Sequence, residues 1–313
     1  MSKLLFLEPV FQQRIWGGRA LEEKFGYEIP EGNIGECWGI SAHPNGESCI
    51  KNGKYAGKKL SELWGVTPEL FGESKEKKFP LLVKILDANS NLSVQVHPDD
   101  ECARVFENGE VGKTECWYII DCDDEADIIF GHNARTKAEA EEMVNAGKWC
   151  EFLRRQPIKK GDFFYVPSGT IHALCTGTIV LEVQQSSDTT YRLYDYDRLD
   201  DSGNPRQLHI EKSLAASTIP HVNTNPNPKV IVENENITVI ELISNEFFSV
   251  SKFEVRGKIN YELAQPTYAL ISVITGVGKI DGELIERGHH ILVPANIGEL
   301  SFEGEFELMV AQP

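Results

Sequence analysis

No stretch of this chain is apolar for the roughly 20 residues that a membrane-spanning helix needs. The first residues, Met1-Ser2-Lys3-Leu4-Leu5-Phe6-Leu7-Glu8-Pro9, carry an apolar run too short for a signal peptide. Neither a membrane span nor a secretory leader is expected. Cys-x-x-Cys pairs are also lacking. The seven cysteines (Cys37, Cys49, Cys102, Cys116, Cys122, Cys150 and Cys175) are odd in number and scattered. A disulfide framework or a structural zinc knuckle needs paired spacing, so both are disfavoured. Reduced thiols in a cytoplasmic protein are the expectation. Positive charge is scarce as well. The 31 Lys and Arg residues face 48 Asp and Glu, for a net charge of -17. Nucleic acid and anionic membranes are poor partners for such a surface. An anionic small substrate would need a local basic cluster inside this acidic body.

What is present is a large apolar fraction, 41% of 313 residues, enough for two packed units. Residues 1–58 are rich in Gly and aromatics, as in Trp16-Gly17-Gly18 and Gly35-Glu36-Cys37-Trp38-Gly39, which suggests short strands and tight turns. Residues 59–72 read as a short helical piece capped by Ser61 and broken at Pro68. Strands are expected over Leu81–Leu86, Leu92–His97, Cys116–Ile120, 162–166 and 179–185. The clearest helix is 136–155, with Thr136 and Glu139 spaced as a capping box. Residues 197–206 read as an exposed turn, Leu208–Ser217 as a helix and 218–230 as a linker. A second all-β block follows from about 231 to 313. Gly161 to Pro167 is echoed by Gly288 to Pro294: each is Gly, five residues, then Pro. His172 follows the first copy, and no histidine follows the second.

Three stretches concentrate polar groups at strand spacing. They are Ser93-Val94-Gln95-Val96-His97-Pro98, Lys113-Thr114-Glu115-Cys116-Trp117, and Gly161 through His172. Alternate residues of a strand face opposite ways. Ser93, Gln95 and His97 then share one face, and Leu92, Val94 and Val96 the other. Lys113 and Glu115 share a face, with Cys116 turned away. Gln95, His97, Glu115 and His172 offer an amide, two imidazoles and a carboxylate, a donor set suited to Zn²⁺ or another borderline divalent ion. No thiolate joins them, so the site can keep positions for water or substrate. Lys84, in the apolar run Leu82-Val83-Lys84-Ile85-Leu86, suggests a functional partner, either the metal-site carboxylate or a substrate oxygen. Glu182 and Gln184 share a face, and Glu182 can orient a ligand or act as a base. Arg192, Tyr194, Tyr196 and Arg198 share parity, which would make two guanidinium groups a phosphate receiver aided by the Ser93 hydroxyl. His289 and His290 are adjacent, so a strand sends them to opposite faces. They read as structural, as do His43, His132, His209 and His221.

The spacing Gly-x5-Pro-x-Gly-x2-His, from Gly161 to His172, resembles the second motif of the cupin superfamily. Combined with Gln95-Val96-His97-Pro98, Lys113-Thr114-Glu115 and Ser186-Ser187-Asp188-Thr189-Thr190-Tyr191-Arg192, it resembles a type I phosphomannose isomerase in the short form typical of Gram-positive bacteria. The likeness runs from Arg14-Ile15-Trp16-Gly17-Gly18 through Leu208-His209-Ile210-Glu211-Lys212. The chain departs from longer relatives in having no room for a large separate helical domain. It also has Lys-Thr-Glu where many have Lys-Pro-Glu, and it carries no nucleotidyltransferase signature.

This resemblance implies a mainly β fold: two cupin-like β-barrel (jelly-roll) units with a few short helices. Residues 1–230 would form the metal-binding catalytic unit with helical insertions, and 231–313 a degenerate unit without ligands. It also implies one Zn²⁺ per chain, a hexose 6-phosphate substrate, and interconversion of mannose 6-phosphate and fructose 6-phosphate through a cis-enediol. The positions matching Ser93, Lys84, Arg192 and Arg198 are associated in the family with substrate binding or catalysis. Lys113, Glu182 and a ligand histidine are the candidate bases. Two other readings share parts of the pattern. A cupin metallo-oxygenase would use the His, Glu and His set, and a sugar-phosphate sensor would bind without turnover. Monomer and homodimer are both open.

Overall fold

A computed structural model describes residues 3–313 except 73, 75, 108, 201, 225 and 264–266. Three large antiparallel sheets stack face to face. The central one has six strands, in the order Phe163–Val166, Glu115–Cys122, Thr178–Gln185, Leu81–Ala88, Ile34–Ile40 and Val10–Gly18. A five-stranded sheet covers one face of it: Leu153–Pro157, Asp127–His132, His172–Leu174, Val94–Val96 and Tyr191–Tyr194. A nine-stranded sheet covers the other, built mainly from Lys229 to Gln312 and completed by Leu5–Glu8 and Cys49–Ile50.

Alternation along the central strands decides which core each side chain enters. Leu86, Trp117, Ile119 and Val180 point toward the five-stranded sheet and pack with Ile128, Phe130 and Leu174. Val83, Ile85, Cys116, Tyr118, Leu181 and Val183 point the other way and pack with Leu5, Leu7, Val250, Leu270, Leu292 and Met309. The central strands are buried on both faces, and each fully buried Val, Leu or Ile contributes about 1.5–3 kcal/mol. A third core lies within the nine-stranded sheet, around Phe253, Ile271, Ile291 and Phe302. A fourth lies between the five-stranded sheet and the helices, around Val94, Val96, Phe152 and Leu193.

The fold is mainly β, as expected, but the jelly-roll units are open sandwiches rather than closed barrels. Each sheet path ends on two unpaired edges. The apolar faces between the sheets are covered by stacking on the neighbouring layer, while the outer face of the nine-stranded sheet packs against its own strands. The terminal strand Leu5–Glu8 pairs with His290–Val293, Leu7 opposite His290, so residues near the start belong to the sheet of the last block.

The helical expectations hold in part. Helices run Leu60–Val66 and Pro68–Phe71, with the break at Pro68 and with Lys59, not Ser61, at the N-cap. The expected 136–155 helix is Lys137–Asn145 and Trp149–Phe152, followed by the strand Leu153–Pro157. Gly147, in left-handed conformation at φ +65°, divides the two helices. Thr136 caps the first by accepting from Glu139 N, while Glu139 accepts from Arg135 N rather than from the cap residue. Leu92 also departs from its predicted face. It precedes the strand and joins the core between the sheets. Among the described residues no helix is long and apolar enough to cross a membrane.

His290 ties the layers together. It is buried, its Nδ1 lies 2.8 Å from Ser272 Oγ and its Nε2 3.0 Å from Tyr27 OH. Burial pushes its pKa down to about 3, which keeps the ring neutral. Its ring lies against Gly39, where a Cβ would come 2.2 Å from Cε1. His289 instead lies near Glu286, Nε2 to Oε1 3.7 Å. Gly39→Ala is expected to overpack this contact and to lower stability by about 1–3 kcal/mol in urea unfolding. An unchanged midpoint would contradict the close approach.

Candidate active site

Two rows of side chains face each other across the cleft between the six- and five-stranded sheets. On the six-stranded sheet, register places Trp38 opposite Lys84, Lys84 opposite Glu182, and Glu182 opposite Trp117. On the five-stranded sheet, Phe130 lies opposite His172, His172 opposite Gln95, and Gln95 opposite Arg192. Strand parity turns both rows inward. His97 follows Gln95 by two residues, and Glu115 opens the strand that carries Trp117, so both enter the same space.

His97, Glu115 and His172 form a cluster whose ligand atoms lie within 4.8 Å of one another. All three are buried to at least 99%. His97 Nδ1 donates to Thr189 O at 2.9 Å, and His172 Nδ1 donates to Thr170 O at 2.8 Å. Carbonyls only accept, so each Nδ1 carries the proton and each Nε2 offers a lone pair. Burial holds both rings neutral, with His172 down to about 4 and His97 well below its usual value. The Nε2 atoms nevertheless face a carboxylate: His172 to Glu115 Oε1 at 3.4 Å, His97 to Glu115 Oε2 at 3.5 Å. Glu115 Oε1 is fully buried with no hydrogen-bond donor among the described residues. Lone pairs aimed at a buried carboxylate repel unless a cation sits among them, so this donor set fits a divalent metal. Gln95 Nε2 lies 3.4 Å from His172 Nε2, and turning that amide over presents its oxygen to the same place.

Cations and carboxylates alternate away from the cluster. Lys113 Nζ lies 2.7 Å from Glu115 Oε2 and 3.1 Å from His97 Nε2. Burial alone would push Lys113 down, but the carboxylates of Glu115 and Glu182 outweigh it and hold its pKa above the ordinary value. Glu115 is raised by burial and by the neighbouring Glu182. Burial also opposes the ionised form of Glu182, yet Lys113 and Lys84 overcome it and hold that carboxyl low. Glu182 Oε2 accepts from the Trp117 indole at 2.9 Å, and Oε1 lies 3.3 Å from Lys84 Nζ. Lys84, 4% exposed, thus pairs with Glu182 rather than with the cluster carboxylate Glu115. Its ammonium also lies 4.0 Å from Glu36 Oε2, and Glu36 pairs with Arg14 at 2.8 Å.

A cavity of about 250 Å³ opens onto this chain of charges. Lys84, Ser93, Gln95, Lys113, Glu182 and Arg192 line it; His97, Glu115 and His172 do not. Arg198 is also absent from the lining. The strand stops at Tyr194, and Tyr196 and Asp197 take left-handed conformations (φ 58° and 55°), so the alternation on which Arg198 was placed ends before it. Arg198 pairs instead with Asp195 Oδ1 at 2.5 Å. Arg14, Trp16, Glu36, Asp188 and Arg206 line the cavity and were not singled out as site residues from sequence. Asp188 lies inside the Ser186-to-Arg192 motif. Glu36 carried a signal in its alternation with Trp38, whose indole it accepts from at 2.5 Å. Arg206 had none, sitting at the end of the 197–206 turn.

Stacked β-sheets around a buried histidine–carboxylate cluster, beside a charged cavity, define a cupin-type β-sandwich with a site able to hold a divalent cation. Residues 4–119 match the family model for the phosphomannose isomerase type I catalytic domain, and 238–313 match that for the mannose-6-phosphate isomerase cupin domain. A probable mannose-6-phosphate isomerase of Bacillus subtilis, GmuF, is 52% identical, covering 100% of both chains. The mannose-6-phosphate isomerase ManA of the same organism is 50% identical over 98% of each. The crystal structure of a Bacillus subtilis mannose 6-phosphate isomerase superposes with a TM-score of 0.95 at 48% identity, covering 99% of each chain. The chain belongs to the type I phosphomannose isomerase family.

His172→Ala is expected to purify with little divalent metal by elemental analysis while its circular dichroism stays native. A full metal complement in that variant would remove His172 from the ligand set.

Proposed function

We infer that this chain interconverts mannose 6-phosphate and fructose 6-phosphate, an aldose–ketose isomerisation. One observation carries the reading beyond family membership. Among the described residues the cavity is lined by five cationic residues (Arg14, Lys84, Lys113, Arg192 and Arg206) against three carboxylates (Glu36, Glu182 and Asp188), inside a chain of net charge -17. A locally cationic cleft in an acidic body suits an anionic substrate.

His97 Nε2, His172 Nε2, Glu115 and the turned Gln95 amide would hold the metal. Mixed nitrogen and oxygen donors, together with the family, favour zinc, one per chain. When bound, such an ion supplies Lewis acidity toward the sugar oxygens at C1 and C2. The protein's own groups handle the proton. The reaction moves one between C2 and C1 through a cis-enediol, and the base must start unprotonated. Both ligand histidines are committed through Nε2 and do not line the cavity, and Lys113 is held protonated by two carboxylates. Glu182 is the ionised cavity group left from the candidates, and it takes the role of base. Two flanking lysines keep its proton affinity low in the free cavity. Their engagement with sugar oxygens loosens that hold and moves the carboxylate toward the range a base needs. Lys113 and Lys84 then donate to oxygens on which negative charge develops. Arg192, with Ser93, receives the phosphate.

A cupin oxygenase would share the histidines and the glutamate but has no use for the cationic lining. The free state of all seven cysteines supports a reducing compartment such as the cytoplasm.

A coupled assay for fructose 6-phosphate, run without oxygen, is expected to show turnover of mannose 6-phosphate that chelation abolishes and zinc restores. Oxygen-dependent product, or binding without turnover, would replace this reading. Glu182→Gln is expected to lower kcat by about 10²- to 10⁴-fold with metal content unchanged. A kcat within twofold of wild type would exclude Glu182 as the base.

A further inference from the structure

Three guanidinium groups gather at one end of the cavity around a single carboxylate. Asp195 is 4% exposed and accepts from two of them. Arg206 Nε donates to its Oδ2 at 2.7 Å and Arg206 Nη2 to its Oδ1 at 2.5 Å, while Arg198 Nη2 meets the same Oδ1 at 2.5 Å. The third, Arg192, donates through Nε to Ser93 Oγ at 3.3 Å and through Nη1 to the carbonyl of Gln207, next to Arg206, at 2.9 Å. Three positive charges and one negative leave an excess of cation. Burial, and Arg206 beside it, lower the pKa of Arg192. Among the described residues no other carboxylate pairs with these three arginines.

The hydrogen-bond inventory points the same way. Arg206 lays its Nε–Nη2 edge on Asp195, and among the described residues its Nη1 has no acceptor. Among the same residues Arg192 Nη2 has none either, and Ser93 accepts from Arg192 and gives its own hydroxyl proton to no acceptor. These spare donors belong to three residues that line the cavity. Arg198 has the same partner in Asp195 but does not line it. It spends Nη1 on Asn91 O at 2.5 Å, Nε on Asp195 O at 3.3 Å and Nη2 on the carboxylate.

We infer that Arg206 is the second phosphate-binding arginine of the site, paired with Arg192 and Ser93, and that Asp195 is the positioning residue that presents it. The ligand is the dianionic phosphate monoester at one end of the sugar. Asp195 fixes one edge of the planar guanidinium, so little side-chain entropy remains to be lost when the other end meets phosphate oxygens. This assignment rests on the hexose-phosphate reading, and it deepens that reading by naming which arginine takes the place expected of Arg198.

The test compares Arg206→Gln, Asp195→Asn and Arg198→Gln in the metal-loaded enzyme. KM for mannose 6-phosphate is read alongside the dissociation constant for inorganic phosphate by titration calorimetry. A lost charge-assisted hydrogen bond predicts that Arg206→Gln raises both constants by about 10- to 100-fold, with kcat changed far less. Asp195→Asn is expected to raise both constants in the same direction by a smaller factor, and Arg206→Lys to recover part of the loss. Arg198→Gln is expected to leave both within about twofold. Unchanged KM and phosphate affinity in Arg206→Gln would overturn the inference, and so would equal losses in the Arg206 and Arg198 variants, which would make the cluster merely structural. Calorimetry reads the anion site without turnover. Wild-type enzyme that binds phosphate through Arg206 yet does not isomerise mannose 6-phosphate would refute the proposed reaction and leave the anion site standing.

Discussion

The Glu115 carboxylate has no solvent exposure, and two neutral imidazoles turn their lone pairs toward it. A buried charge so surrounded costs several kcal/mol unless something positive compensates. Lys113 supplies part of that compensation, and a divalent cation among Glu115, His97 and His172 would supply the rest. The surrounding structure serves this requirement. Backbone carbonyls of Thr170 and Thr189 fix the tautomers. Strand register brings His172 beside Gln95 and Gln95 beside Arg192. The nine-stranded sheet backs the strands that carry Lys84, Glu115 and Glu182 on their other face.

From Glu115 outward, charge alternates through Lys113, Glu182, Lys84, Glu36 and Arg14. Each carboxylate is paired with the next cation, which is how so many ionisable groups can be buried together. The same alternation separates roles. Neighbouring lysines hold Glu182 ionised, neighbouring carboxylates hold Lys113 protonated, and a carboxylate and an ammonium therefore coexist within one cavity. At the far end the alternation fails, with three arginines against Asp195.

Much of this was legible in the sequence because strands encode direction by parity. Residue order alone puts Gln95 and His97 on one face and turns Cys116 away from Glu115. The family motifs added the pairing of the histidines with Glu115. The rest depended on information that parity does not carry. Arg198 was read by an alternation that ends when Tyr196 and Asp197 go left-handed. Glu36 and Arg206 reach the cavity from segments whose pairing with it is long-range. The strand Leu5–Glu8 joins a sheet nearly 300 residues away in sequence, with Leu5 opposite Leu292, and no local pattern announces such a partner. The jelly-roll units that the family resemblance implies are open stacked sheets, a difference in closure that the motifs do not carry.

The central claim is that one divalent cation sits among His97, His172, Glu115 and Gln95. Crystals grown with zinc, measured at wavelengths on either side of the zinc absorption edge, test it most directly. The account predicts a single strong anomalous peak per chain, about 2.0–2.2 Å from both histidine Nε2 atoms and from a Glu115 oxygen. A peak elsewhere, or an ordered cluster with no anomalous signal at saturating zinc, would contradict it.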